Sequence, residues 1–257
     1  MVLLKQIIFA GLLISLFGGC YSTTQDRVEK LLQTDAANII KNDYKNVVKQ
    51  LVTFKDKLDK RNPKAYNKTN APIIYTQLDN LQNTFNLKYA NNDLVKYKEY
   101  LQIAFSKSAV EYRNDYLVLG LYKLIYDAYD IEDGHQITAL SYDEEKLQRL
   151  YQNLQILKWK IKTDRDLNND YLFLTWQNNW QIELEQKLKK GQEPTYEDLK
   201  NLKFIKDQKE SLFSSSNTSF EVLLTIMSQR VQNSLETMGV EPIDLGIEAV
   251  KSVFLFL

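Results

Sequence analysis

Tyr116-Leu-Val-Leu-Gly-Leu-Tyr-Lys-Leu-Ile-Tyr126 is the stretch that decides the fold. Lys123 is its one charged residue, and the others are apolar or aromatic nearly all round a 3.6-residue period. A helix with one apolar stripe needs one neighbour, whereas a helix apolar on all sides must be surrounded by others. Gly120 lowers helix propensity by about 1 kcal/mol relative to alanine. It is expected to let a neighbouring helix approach closely. Upstream, Leu94, Tyr97, Leu101 and Phe105 keep the same period. The spacing therefore predicts one long helix over residues 93–129, its second half at the centre of the fold.

Working outward, the N-terminal side carries Val28, Leu31, Leu32, Ile39, Ile40, Val47, Leu51, Phe54 and Leu58 at steps of three and four. That predicts a long amphipathic helix from Asp26 to the Arg61-Asn62-Pro63 stop, because proline disfavours helix in the residue before it. Pro72 suits the first turn of a second helix bearing Ile74, Leu78, Leu81 and Phe85, and Asn91-Asn92-Asp93 breaks the chain again. On the C-terminal side, Ser141 to Glu144 has capping-box spacing ahead of Leu147, Leu150, Leu154, Leu157 and Ile161. Asp164 to Asp170 reads as a polar turn. Tyr171 to Lys190 reads as a helix with Phe173, Trp176, Trp180 and Leu184 on one side, ended by Gly191. A further helix runs from Thr195 to about Phe213. After the Ser214–Ser219 linker, Phe220, Leu223, Leu224, Met227, Val231, Leu235 and Met238 form a stripe that stops at Gly239. Pro242 opens the last helix, and its apolar end, Phe254 to Leu257, is expected to dock. The only weak strand candidates are Tyr171–Trp176 and Gln136–Tyr142.

The fold class is therefore all-α: a single multi-helix bundle of about eight helices over residues 26–257, with residues 218–257 as an alternative C-terminal helical hairpin. Helix lengths vary and no fixed period repeats, which excludes a regular solenoid.

The first twenty residues differ from all the rest. Lys5 is followed by an apolar run, Ile7 to Phe17, too short to span a bilayer, which takes roughly 20 residues. A charged start, a short apolar segment and small residues before a cut describe a cleaved signal. Leu16-Phe17-Gly18-Gly19-Cys20 ends it with the chain's one cysteine. This pattern resembles the lipobox of bacterial lipoproteins over residues 1 to about 22, with Phe17 where leucine is usual and Leu16 one place earlier. The resemblance implies removal of residues 1–19, acylation of Cys20 and a short tether over residues 20–25. Tyr21, in place of an aspartate, implies the outer membrane of a Gram-negative envelope, with the domain facing the periplasm. A non-lipidated signal, or a buried cysteine in an ordinary apolar helix, is the alternative.

The chain holds 33 Lys+Arg and 33 Asp+Glu, and the signal removes one lysine and no acid. A near-neutral chain lacks the basic excess that phosphate-backbone binding requires, so nucleic-acid binding is not expected. An apolar content of 44% is enough for a core. Beyond Cys20 there is no thiol to form a disulfide. Abundant lysine, asparagine, tyrosine and isoleucine fit an AT-rich genome's codons and do not indicate a sugar-binding surface.

Catalytic chemistry has little to stand on. His135 is the sole imidazole, in the loop over residues 130–140, and no Gly-x-Ser-x-Gly elbow occurs. One histidine and no second cysteine cannot build a usual zinc site. Asp164, Asp166 and Asn168 place oxygens at alternate positions, as a calcium loop begins. Asn169 stands at the glycine position, where it could tolerate a left-handed turn, and Thr175 stands where the bidentate glutamate belongs. A polar interhelical turn explains the same residues. Glu144 and Glu145 at a helix start suit the helix dipole and need no acid–base role. No cofactor is implied. Trp159, Trp176 and Trp180 read as core, or as the lining of a groove for an apolar ligand or partner helix, with His135 near its rim. The expected function is non-enzymatic: a lipid-anchored envelope domain for protein interaction or structural support, with a periplasmic binding module for an apolar ligand or peptide as the alternative.

Overall fold

The computed structural model describes residues 24–130, 139–191, 193–213 and 218–252. Cys20, His135 and the terminal Phe254–Leu257 lie outside these residues. Among the described residues the chain is mostly helical, with ten helices. They are α1 Thr24–Arg61, α2 Ala71–Asp79, α3 Tyr97–Ala104, α4 Arg113–Ala128, α5 Glu144–Thr163, α6 Asn179–Lys189, α7 Tyr196–Lys200, α8 Lys203–Lys206, α9 Thr218–Thr237 and α10 Ile247–Ser252.

The apolar stretch falls in α4, where every residue from Leu117 to Ile125 is buried. Its neighbours are α1, α2, α3 and α5. A methyl group on Gly120 would lie 2.8 Å from Cβ of Tyr100, so the glycine does permit the close crossing of α3 over α4. The predicted single helix over 93–129 is in fact two. The chain turns between Ala104 and Arg113, with Tyr112 in the left-handed region at φ 56°. Arg113 explains the break. Its guanidinium donates to the carbonyls of Ala104 (2.7 Å), Ser106 (2.7 Å) and Ser108 (2.8 Å), which satisfies acceptors that the end of α3 leaves open. The second predicted helix is likewise cut short. It ends at Asp79, and a hairpin follows, Lys88–Tyr89 (β1) against Asn92–Asp93 (β2). Ala90 and Asn91 both take positive φ, as a two-residue type I′ turn requires. The Tyr100 hydroxyl accepts from Leu87 N (2.8 Å) and donates to Leu94 O (3.1 Å), tying the hairpin's base to α3.

α1 is about 57 Å long at 1.5 Å per residue. From Ala37 onward its apolar face is core: Ile40, Tyr44, Val47, Leu51, Phe54 and Leu58 are fully buried. Leu32 and Ile39, expected on the same face, are exposed. Helix geometry turns Ile39 about 100° from the buried Ile40 and puts Leu32 on the same flank, outside the stripe. α9 lies along α1 and α5. Phe54 meets Phe220 edge-on at 5.6 Å, and the buried Asp43 carboxylate takes a hydrogen bond from Asn233 of α9. Ser234 of α9 meets the Tyr129 hydroxyl at 3.1 Å. Polar contacts inside a core accept only one register, because a shift leaves each partner unsatisfied.

The helix predicted from Tyr171 begins only at Asn179. Asn62 pairs with the backbone of Leu174, accepting from its N–H at 2.9 Å and donating to its carbonyl at 3.3 Å. Arg61 donates to the Gln177 carbonyl and the Asn179 side chain. A helix here would use those backbone groups internally. The end of α1 takes them instead, so residues 171–178 run as an irregular segment. Burial lowers the Arg61 pKa, and Glu210 opposes that shift. The helix predicted over 195–213 is also divided, into α7 and α8, with Gln208 at positive φ.

Candidate functional site

The predicted site residues do not gather in one place. Trp159 is half-buried on α5, Trp176 is half-exposed in the irregular segment, and Trp180 sits in the first turn of α6. The indole N–H of Trp180 is buried without a hydrogen-bond partner among the described residues. The three clefts described below are lined by no tryptophan.

The segment weighed for calcium is a polar turn. Asp164 caps the end of α5 and pairs with Lys160 at 2.6 Å. Asp166 accepts from the backbone of Asn168 (2.8 Å) and Asp170 (2.9 Å), and the Asp170 amide is the first cause of its lowered pKa. Asn169 does adopt the left-handed conformation, at φ 63°. Its carbonyl is taken by Arg165, which also pairs with Glu185 at 2.7 Å. Among the described residues no group of three or more His, Cys, Asp or Glu side chains could hold a metal ion. Glu144 and Glu145 are exposed in the first turn of α5, behind Asp143, which accepts from Lys146 N at 3.0 Å. They border a shallow cleft of about 400 Å³ under Val240 and Ile243.

Two buried charge centres stand out instead, both built on α4. One surrounds Lys55, whose side chain is fully buried. Its ammonium lies 2.6 Å from Asp59 and 3.3 Å from Asp115, with the rings of Tyr75 and Tyr66 at 5.1 and 5.6 Å. Asn114 donates to Asp59 at 3.0 Å, and the amide of Asn67 donates to Asp115 at 2.8 Å. Burial raises the Asp115 pKa, while the Asn67 amide and Lys55 pull it back down. The centre joins α1, α4 and the loop before α2. Asp115 also borders a cleft of about 430 Å³, but its carboxylate is already engaged by Lys55 and Asn67.

The other centre is a cleft of about 670 Å³ between α4, α5 and the segment running from Asn83 to Lys98. Lys123 forms part of its wall and is only 5% exposed. Its ammonium donates to the amide oxygens of Asn83 (2.8 Å) and Asn86 (2.7 Å) and sits 5.5 Å from the Tyr100 ring. One turn along α4, Tyr126 and Asp127 also line the cleft, and Asp130 follows. α5 contributes Lys146 and Arg149, one turn apart. Lys146 reaches Asp130 at 2.6 Å and Asp127 at 3.4 Å; its pKa is raised, first by the Asp130 hydrogen bond. Tyr97 borders Arg149; burial raises its pKa and Arg149 opposes the shift. Lys96 and Lys98 stand exposed at the rim. The lining thus holds five cationic side chains and two carboxylates, an excess of +3. The site is not legible in the sequence, because Lys123 stands inside an apolar run and its partners Asn83 and Asn86 lie 40 and 37 residues away. The readable signal was that same lysine, the lone charge between Tyr116 and Tyr126, with Asp127 and Asp130 four and seven residues on.

Comparison with known protein families, curated proteins and solved structures returns no match. Among the described residues no helix is long and apolar enough to cross a membrane.

Proposed function

We propose that this chain is a bacterial lipoprotein, acylated at Cys20, whose helical bundle serves protein interaction or structural support at the periplasmic face of the outer membrane. The lipobox-like Leu16–Cys20 supports the anchor. The observation that carries the reading is α1. It begins at Thr24, four residues beyond Cys20, and runs unbroken into the core. From Thr24 to Ala37, the first buried residue described on α1, is about 20 Å of helix. In this reading the start of α1 is a stalk that holds the bundle at a set distance from the bilayer. The domain works by contact and not by catalysis; one histidine and no nucleophile elbow support that.

The test is incorporation of radiolabelled palmitate, together with membrane fractionation, in the wild type and in Cys20→Ala. Label and membrane association are expected in the wild type and lost in the variant. Label that persists in Cys20→Ala would sink the anchoring reading. The second reading, a periplasmic binding module, draws its support from the cleft around Lys123, which is polar and cationic and not the apolar groove first expected.

A further inference from the structure

We infer that the cleft between α4, α5 and the 83–98 segment binds an organic phosphate, with Lys123 as the residue that fixes the phosphate end. Five cationic side chains converge on one cavity in a chain whose charges balance as a whole. Like charges brought together repel, and a polyanion seated among them removes that cost. Both carboxylates in the lining are engaged by a single lysine, Lys146. The positive excess therefore resides at Lys96, Lys98, Lys123 and Arg149.

Lys123 is positioned for recognition. Its long side chain is held by two amide oxygens, so its charge is fixed in place before any ligand arrives. With their oxygens turned to Lys123, Asn83 and Asn86 each retain two N–H donors on the amide nitrogen. Donors and cations without an excess of acceptors suit a phosphate, whose oxygens are mainly acceptors at neutral pH. The volume, about 670 Å³, lies within the range of roughly 300–1,000 Å³ typical of small-molecule sites and is far larger than bare phosphate needs. The organic remainder would lie along Tyr97 and Tyr126, which line the same cavity. Two sources supply this chemistry, a soluble phosphate ester and the headgroup of an anionic phospholipid.

The experiment is calorimetric titration of the full chain in non-ionic detergent. The probes are pyrophosphate and dihexanoylphosphatidylglycerol, with dihexanoylphosphatidylcholine as the zwitterionic control. At least one of the two anions is expected to bind. Binding is expected to weaken by about tenfold or more in Lys123→Met, the scale of one lost charge-assisted hydrogen bond. The paired Lys96→Gln, Lys98→Gln variant, altered only at exposed positions, is expected to weaken it as well and to depend less steeply on salt. Binding of pyrophosphate alone assigns a soluble ester, and binding of the glycerol lipid alone assigns a headgroup. No binding of either anion overturns the inference. So does equal binding of the phosphatidylcholine control, or wild-type affinity in the rim variant. Because binding is read directly, a failure of palmitate labelling at Cys20 leaves this result intact, and the reverse also holds.

Discussion

Lys55 and Lys123 are both buried lysines, and the fold treats them in opposite ways. Lys55 is fully buried between two carboxylates, so its centre carries a negative excess. Lys123 is held by two neutral amide oxygens at a cavity whose lining carries a positive excess. A buried charge is costly unless it is paired, and pairing it inside the fold leaves nothing for a ligand. The first arrangement joins α1 to α4 and the loop before α2. The second keeps its charge where a small molecule can reach it. The same residue type therefore marks a structural joint in one region and a candidate site in the other, and the cavity makes the difference.

The comparison can be broken most directly at Lys55. Lys55→Met leaves Asp59 and Asp115 buried together without their cation, so a loss of about 3–5 kcal/mol is expected, read as the unfolding midpoint in urea. Lys123→Met is expected to cost less, roughly 1–3 kcal/mol, because the two orphaned amide oxygens face a cavity that admits water. If the order of these two losses is reversed, Lys123 is the structural lysine and the contrast fails.

Asp115→Asn gives the smallest effect and the sharpest sign. The amide keeps an oxygen for the Asn67 N–H, and Lys55 keeps Asp59 at 2.6 Å, so the centre passes from net negative to neutral. A change within about 1 kcal/mol is expected at pH 7. Burial raises the wild-type Asp115 pKa, so the folded state holds that proton more tightly than the unfolded chain. Its contribution is complete below the unfolded carboxylate value and is lost as pH rises through the raised folded value. The wild type should therefore gain stability relative to Asp115→Asn as pH falls from neutral into the acid range. Denaturant titrations of both chains across that range check it. A gap that widens in the other direction would mean that the charged form of Asp115 is the favoured one.

The helical class, the place of α4 at the centre and the stops at Pro63, Gly191 and Gly239 were legible in the residues themselves. Each of these is local. A 3.6-residue period reports which side of a helix is apolar, while proline and glycine act on their own or adjacent dihedrals. The role of Gly120 was legible for the same reason, since a missing Cβ in an enclosed helix has few other uses. The turn at Asp164–Asp170 was visible as well, and Asn169 takes the left-handed conformation that the calcium-loop spacing allowed it.

What the chain order could not carry is the competition between distant groups for the same backbone atoms. Residues 171–178 have a helical pattern, but Arg61 and Asn62, more than 100 positions earlier, take the backbone groups a helix would need. Arg113 ends α3 by reaching back to three carbonyls, which its position in an apparently continuous helix concealed. Leu32 and Ile39 were grouped with the buried stripe and yet are exposed, on a flank about 100° round the helix from the buried Ile40. Lys123 shows the same limit at the level of function. Sequence placed it correctly in the most enclosed helix, but only the approach of Asn83, Asn86 and α5 turned that position into the wall of a cavity. Periodicity determines how each helix is coloured; long-range hydrogen bonds and cavities arise between elements, and the tertiary structure alone decides them.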